Sequence, residues 1–209
     1  MKLEIKDDFI PSKIVCVGRN YADHAAELGN DVPVEPLLFL KAPSALIRNS
    51  ESIVTPPQSS QVEHEGELCI VIRRKCKGLT DSDNPFDYVL GYTCLNDVTA
   101  RDLQRKDGQF ARAKSFDTFC PIGPVIETDL DVADIRVTTR VNGVLKQDGR
   151  TSQMVFPVDF LIRYISNMMT LMPGDLIATG TPSGVSRMDP GDLCEVEIEG
   201  IGVLTNRVR

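Results

Sequence analysis

The sequence has no Cys-x-x-Cys pair, no block of like charges, no apolar run long enough to span a bilayer, and only two histidines, His24 and His64. Each absence removes a class of protein. Six scattered cysteines (16, 69, 76, 94, 120 and 194), mostly in apolar strand-like segments, read as buried thiols of a reducing compartment and not as a disulfide framework. A formal net charge of −7 without a basic stretch argues against a nucleic-acid partner, although one Lys or Arg in a cleft can still hold a small anion. The charged opening Met-Lys-Leu-Glu-Ile-Lys-Asp-Asp cannot serve as the apolar core of a signal peptide, so a cytoplasmic location without membrane association is expected. With two histidines and no paired cysteines, the usual nitrogen and sulfur ligands of zinc are missing.

What remains is an ordinary soluble composition, 42% hydrophobic and 25% charged, over 209 residues. Without repeats or low-complexity tracts, residues 1–209 read as one domain. A strand over Lys13–Val17 precedes a short helix from about Tyr21 to Leu28, with Asn20 as its N-cap and Gly29 just past its end. Asn30–Pro36 is loop. The unbroken apolar run Leu68–Ile72 predicts a strand over Glu67–Arg73 buried on both faces, and Tyr88–Leu95 predicts a second. Alternation over Ile135–Val141 ends at Asn142-Gly143, a type I′ hairpin signal, and Cys194–Glu199 with Val203–Val208 reads as a further hairpin. One longer helix is expected over Val158–Leu171, with Leu161, Tyr164, Ile165, Met168 and Met169 on its apolar stripe and the two methionines in the core. The balance is a β-rich α+β fold, its sheet rolled or sandwiched.

His64-Glu65-Gly66-Glu67 opens the buried strand. Residues two apart on a strand share a face, so Glu65 and Glu67 project together, and Asn96-Asp97 closes the next strand. Three carboxylates converging from strand ends make an oxygen site suited to Mg²⁺ or Mn²⁺. Glu-x-Glu is common, however, and spacing alone favours exposed strand-edge charges. The loop Thr179-Gly180-Thr181-Pro182-Ser183-Gly184 has no lysine where a phosphate-binding loop needs one, so no nucleotide site is expected.

Taken together, these segments resemble the fumarylacetoacetate hydrolase family, in particular its short acylpyruvase and oxaloacetate-decarboxylase branch. The resemblance runs from about Ile14 to Val208 and rests on six ordered motifs: Val17–His24; Glu35-Pro36 with Phe39-Leu40-Lys41; His64–Glu67; Asn96–Gln104; Ala113–Asp117; and Thr179–Val185. It implies a mixed-sheet β-roll, usually homodimeric, with Mg²⁺ or Mn²⁺ held by Glu65, Glu67 and Asp97. It further implies catalytic roles for His24, Glu27 and Lys114, and substrate contacts from Arg19, Gln104 and Thr181, the last through its amide and hydroxyl. Arg101 reads as a structural partner for carboxylates. Glu63 stands where relatives often carry a second histidine and reads as a tuning difference. The implied reaction is hydrolysis of an acylpyruvate, a 2,4-dioxo acid, to pyruvate and a carboxylic acid, with decarboxylation of oxaloacetate open to the same site. His24, held by Glu27 three residues on, would deprotonate the attacking water, and Lys114 would face the enolate charge. Two alternatives stand beside it: isomerisation or decarboxylation of 2-hydroxymuconate-type diacids, and a catalytically silent protein that keeps the metal site. The far end of the substrate is expected to meet the loops Asn30–Pro36 and Arg105–Arg112.

Overall fold

The computed structural model describes all 209 residues. The chain opens with β1 (Lys2–Glu4), β2 (Ile14–Gly18), the helix α1 (Ala22–Glu27) and β3 (Leu37–Lys41). Three short strands, β4 (Leu46–Arg48), β5 (Ser52–Ile53) and β6 (Val62–Glu63), lead into β7 (Gly66–Ile72) and β8 (Val89–Asn96). After β9 (Thr99–Ala100) come α2 (Arg101–Asp107) and α3 (Ala111–Lys114). The chain then runs through β10 (Cys120–Glu127), β11 (Arg136–Val141), β12 (Val144–Arg150) and α4 (Val158–Met168). It closes with β13 (Leu176–Ala178), β14 (Leu193–Ile198) and β15 (Gly202–Val208).

Eight strands form one sheet in the order β1-β10-β8-β7-β13-β2-β3, with β4 added beside β10; five form a second in the order β12-β11-β14-β15-β5. Most pairs are antiparallel, but β2 with β13, β4 with β10 and β5 with β15 are parallel, so both sheets are mixed. The fold is therefore the β-rich α+β class expected from the sequence.

The central strand β7 explains its own composition. Leu68, Ile70 and Ile72 pack with α4 residues Leu161 and Ile165 and with Val196 and Leu204 of the second sheet. Cys69 and Val71 pack on the opposite side with Cys16, Leu95 and Cys120. A strand covered on both faces has no use for alternation, hence the continuous apolar run. All six cysteines are buried and unpaired. The hairpin at Asn142-Gly143 forms as predicted, with φ of 52° and 76°. No helix is long and apolar enough to cross a membrane.

Four local expectations are corrected. The N-cap of α1 is Tyr21, not Asn20; the Asn20 amide instead donates to the Phe156 and Thr179 carbonyls and accepts the Phe156 N–H, tying three segments together. Helix α4 stops at Met168, because the chain turns extended at Met169 to let Leu171 exchange backbone hydrogen bonds with Cys76. Met168 is consequently 57% exposed and not core, whereas Met169 packs against the core. Arg105–Arg112 is not a loop throughout: α2 continues to Asp107, Gly108 takes the left-handed turn at φ 70°, and α3 begins at Ala111.

Candidate active site

The β7–β8 pairing assembles the carboxylates. Gly66 lies opposite Asn96 and Glu67 opposite Leu95, so the start of β7 and the end of β8 meet at one edge. Two further bonds lock that edge: the Asp97 amide donates to the Glu65 carbonyl at 2.8 Å, and the Glu65 amide donates to the Asn96 side-chain oxygen at 2.9 Å. One oxygen from each of Glu65, Glu67 and Asp97 then falls within 4.8 Å of the others, and all three residues are buried. The strand-edge reading of Glu65 and Glu67 is thereby excluded. Glycine between them is a steric requirement, since a Cβ on Gly66 would sit 2.1 Å from Thr139 Oγ1.

Cations crowd this cluster. Lys114 Nζ bridges Glu65 Oε2 at 2.7 Å and Asp97 Oδ2 at 2.6 Å. Lys41 Nζ donates to the other Asp97 oxygen at 2.6 Å. Arg101 donates to Glu65 Oε1 at 2.5 Å, to Glu63 Oε2 at 2.7 Å and to Gln104 Oε1 at 2.5 Å. Arg101 is thus a structural partner of carboxylates, and Glu63, in place of a second histidine, is its clamp.

The resulting electrostatics single out Glu67. Burial alone would raise the Glu65 carboxyl, but the charges of Lys114 and Arg101 outweigh it and hold Glu65 well below the usual range. Burial would lower the Lys114 ammonium, and Asp97 with Glu65 keeps it raised instead. Glu67 makes no ion pair; its contact is the Gly180 amide at 2.7 Å. Burial, and then the charges of Asp97 and Glu65, push its carboxyl well above the ordinary value. Four carboxylates, Glu63 included, meet three cations here, so Glu67 is the one without a counter-charge and can ionise only if a further cation joins the cluster. That orphaned, buried, all-oxygen cluster fits a hard divalent cation, and without a thiol or imidazole in it the donor set does not suit zinc.

A cavity of about 410 Å³ opens onto the cluster. All nine residues singled out in the sequence line it: Arg19, His24, Glu27, Glu65, Glu67, Asp97, Gln104, Lys114 and Thr181. Helix α1 brings His24 and Glu27 to one face, three residues apart. His24 is buried, with Nδ1 at 3.3 Å from Glu27 Oε2. A carboxylate only accepts, so Nδ1 is the donor of this bond, which in the neutral ring leaves the Nε2 lone pair for a proton. Both Glu27 oxygens also accept the Gly184 amide, at 3.0 and 3.1 Å, so the 179–184 loop anchors the helix.

One assigned contact is corrected. The single O–H of Thr181 donates to the Gly66 carbonyl at 2.8 Å, and its oxygen accepts from Gln147 Nε2 at 2.6 Å. It has no hydrogen left to offer a ligand, whereas the Thr181 amide makes no bond within the chain. Gln147 also accepts the Gly66 amide and faces His64 Nδ1, each at 3.0 Å, and so ties the loop to the carboxylate edge.

Residues 13–209 match the family described as fumarylacetoacetate (FAA) hydrolase, C-terminal. The chain belongs to the fumarylacetoacetate hydrolase family. An uncharacterized protein of Methanocaldococcus jannaschii is 54% identical over 95% of this chain and 84% of its own length. The mitochondrial oxaloacetate tautomerase Fahd2a of Rattus norvegicus is 43% identical, over 95% of this chain and 66% of that protein. Among solved structures, fumarylpyruvate hydrolase of Pseudomonas aeruginosa, in complex with Mn²⁺ and pyruvate, superposes with a TM-score of 0.89 at 31% identity, covering all of this chain and 95% of that one. Members of the family are hydrolases, isomerases and tautomerases, and this chain keeps their fold.

Proposed function

We propose that the protein is a Mg²⁺- or Mn²⁺-dependent hydrolase that cleaves the C3–C4 bond of an acylpyruvate, giving pyruvate and a carboxylic acid. The observation that carries this reading is the His24–Glu27 pair, which lines the same cavity as the buried triad of Glu65, Glu67 and Asp97. A divalent ion on those three carboxylates would supply positive charge for the substrate's 1-carboxylate and 2-oxo oxygens.

Around it, the chain's own groups divide the work. His24 Nε2 takes a proton from water while Glu27 holds the ring through Nδ1. The hydroxide oxygen bonds to C4, the C3–C4 bond breaks, and its electron pair passes to C3 as the enolate of pyruvate. The Lys114 ammonium faces that developing charge. The proton on His24 then goes to C3. The Thr181 amide offers a donor to the substrate carboxylate, and Gln104, whose oxygen is held by Arg101, has its NH₂ free to orient substrate or water. The cavity volume lies within the ordinary range for ligand sites and leaves room for an acyl group beside the water.

A second reading, interconversion of the keto and enol forms of oxaloacetate, is favoured by the 43% identity to Fahd2a. It uses the same base and needs no attacking water. The test strips the protein with EDTA, restores Mg²⁺ or Mn²⁺, and quantifies pyruvate and acetate from acetylpyruvate for wild type and His24→Ala. Equal, metal-dependent release of both products, lost in the variant, is expected. Absence of release with either metal overturns the hydrolytic reading, and enol decay of oxaloacetate on the same preparation then decides for or against the tautomerase.

A further inference from the structure

A second cavity lies apart from the catalytic one and shares no residue with it. Its volume is about 910 Å³, within the ordinary range for small-molecule sites. Strand β8 reaches it through Tyr92, four residues before the Asn96 that locks the carboxylate edge. The loop after β10 and the start of α4 supply most of the remaining wall.

The composition of that wall limits what it can hold. Eight of its fifteen residues are hydrophobic; Val132, Met154 and Val158 are buried, while Phe86 is 45% exposed at the mouth. Such a surface favours a carbon framework over a hydrated metal ion. Three carboxylates, Asp129, Asp131 and Asp159, line the same cavity, and no lysine, arginine or histidine does. None of the three is in an ion pair. Asp131 accepts the Ala133 amide at 3.0 Å, and the other two side chains accept no hydrogen bond from the chain. Their summed field repels an anion and attracts a cation.

The Tyr92 phenol is a separate sign. Tyr92 is only 5% exposed, yet its hydroxyl has no hydrogen-bond partner in the chain, and the side chain lines the cavity. A buried hydroxyl costs free energy unless something bonds to it, and the cavity is the side from which a partner can reach this one. Burial, and then the charge of Asp131, push its ionisation up to about 12, so the group stays a neutral phenol whose oxygen can accept.

We infer that this cavity binds a small organic cation, a primary ammonium carried on an aromatic body. The ammonium donates to the Tyr92 oxygen and faces Asp131 and Asp159, and the ring packs on Met154, Val158 and Phe86. The site stands or falls independently of the reaction at the carboxylate triad.

The chain has no tryptophan, so an indole ligand can be followed by its own fluorescence. Mg²⁺-loaded protein is titrated into tryptamine, into tryptophol, its uncharged counterpart, and into indole-3-propionate, which carries the opposite charge; anisotropy reads binding. Tryptamine binds at least about tenfold more tightly than tryptophol, as charge-assisted hydrogen bonds require, and indole-3-propionate does not saturate. Added salt narrows the difference. The double variant Asp131→Asn, Asp159→Asn brings the ratio close to one; both positions are exposed, and an amide oxygen still accepts the Ala133 N–H, so the fold is kept. Tyr92→Phe keeps the ring in the core and weakens tryptamine about threefold or more. Equal affinities for tryptamine and tryptophol, a tryptamine Kd above about 1 mM, or a ratio unchanged in the double variant overturns the inference. An apparent affinity that falls as protein concentration rises overturns it as well, since a second copy of the chain then covers the cavity.

Discussion

Replacing Lys114 by Met removes the ammonium that bridges Glu65 and Asp97 while keeping the apolar stem. Both carboxylates and the lysine are buried, with side chains at most 6% exposed. Removing one partner of a buried pair costs about 3–5 kcal/mol, because the remaining charge has lost its counterion. Here Arg101 still holds the other Glu65 oxygen and Lys41 the other Asp97 oxygen, which places the loss at the lower end, about 3 kcal/mol. For a domain of this size each kcal/mol moves the melting temperature by roughly 2–4 °C, so metal-free Lys114→Met melts roughly 6–12 °C below metal-free wild type. Added Mg²⁺ supplies the missing charge to the same oxygens. The variant therefore gains more from Mg²⁺ than wild type does, while its turnover in the proposed reaction stays low for want of the charge set against the enolate there. Thermal unfolding followed by circular dichroism, with EDTA and with Mg²⁺, reads both quantities. A metal-free melting temperature within about 2 °C of wild type, or equal Mg²⁺ shifts in the two proteins, would refute the charge accounting.

Three more outcomes follow from the same contacts. Glu67→Gln relieves the repulsion between Glu67 and its neighbours Asp97 and Glu65; the metal-free protein gains about 2–4 °C per kcal/mol relieved, and the Mg²⁺ shift disappears from the melting curve. Gly184→Ala puts a Cβ 1.9 Å from the Lys146 carbonyl on a backbone at φ 101°, so the loop moves and Glu27 loses its amide anchor; kcat falls at least about tenfold with metal affinity kept, as calorimetry checks. Asp175 is fully buried, and burial alone would raise its carboxyl, but Lys13, Ser12 and the Met172 amide hold it below the model-peptide value of 3.8. Its stabilisation is present above that value and is lost as pH falls through the lower folded one. Asp175→Asn therefore costs about 1–3 kcal/mol at pH 7 in a denaturant titration, and the difference narrows below pH 3.8.

Much of this was legible in the sequence wherever the cause is local. The apolar run of β7, the Asn142-Gly143 turn and the three-residue spacing of His24 and Glu27 each depend on neighbours in the chain, and each forms as read. The carboxylate triad joins residues thirty apart, and spacing alone pointed away from it; the family motifs carried that assignment. Lys41 was quoted within a motif but given no task, because its partner Asp97 lies 56 residues on. Gln147 was missed altogether. Its four contacts, to His64, Gly66, Thr181 and Pro182, come from two distant segments, and no local pattern marks a buried glutamine. Asn20 looked like a helix cap for the same reason: a side chain that bonds to the next turn and one that bonds 136 residues away read alike. Helix α4 reads too long in the sequence because Met169 continues the apolar stripe, while the bridge between Leu171 and Cys76 that unwinds its end is tertiary.

The most direct test is an anomalous diffraction map from crystals grown with Mn²⁺ and oxalate, a mimic of the pyruvate enolate. One peak per chain, among the carboxylate oxygens of Glu65, Glu67 and Asp97 and in contact with the oxalate, is the predicted result. A map without a peak there, or with manganese bound only elsewhere on the chain, contradicts the account.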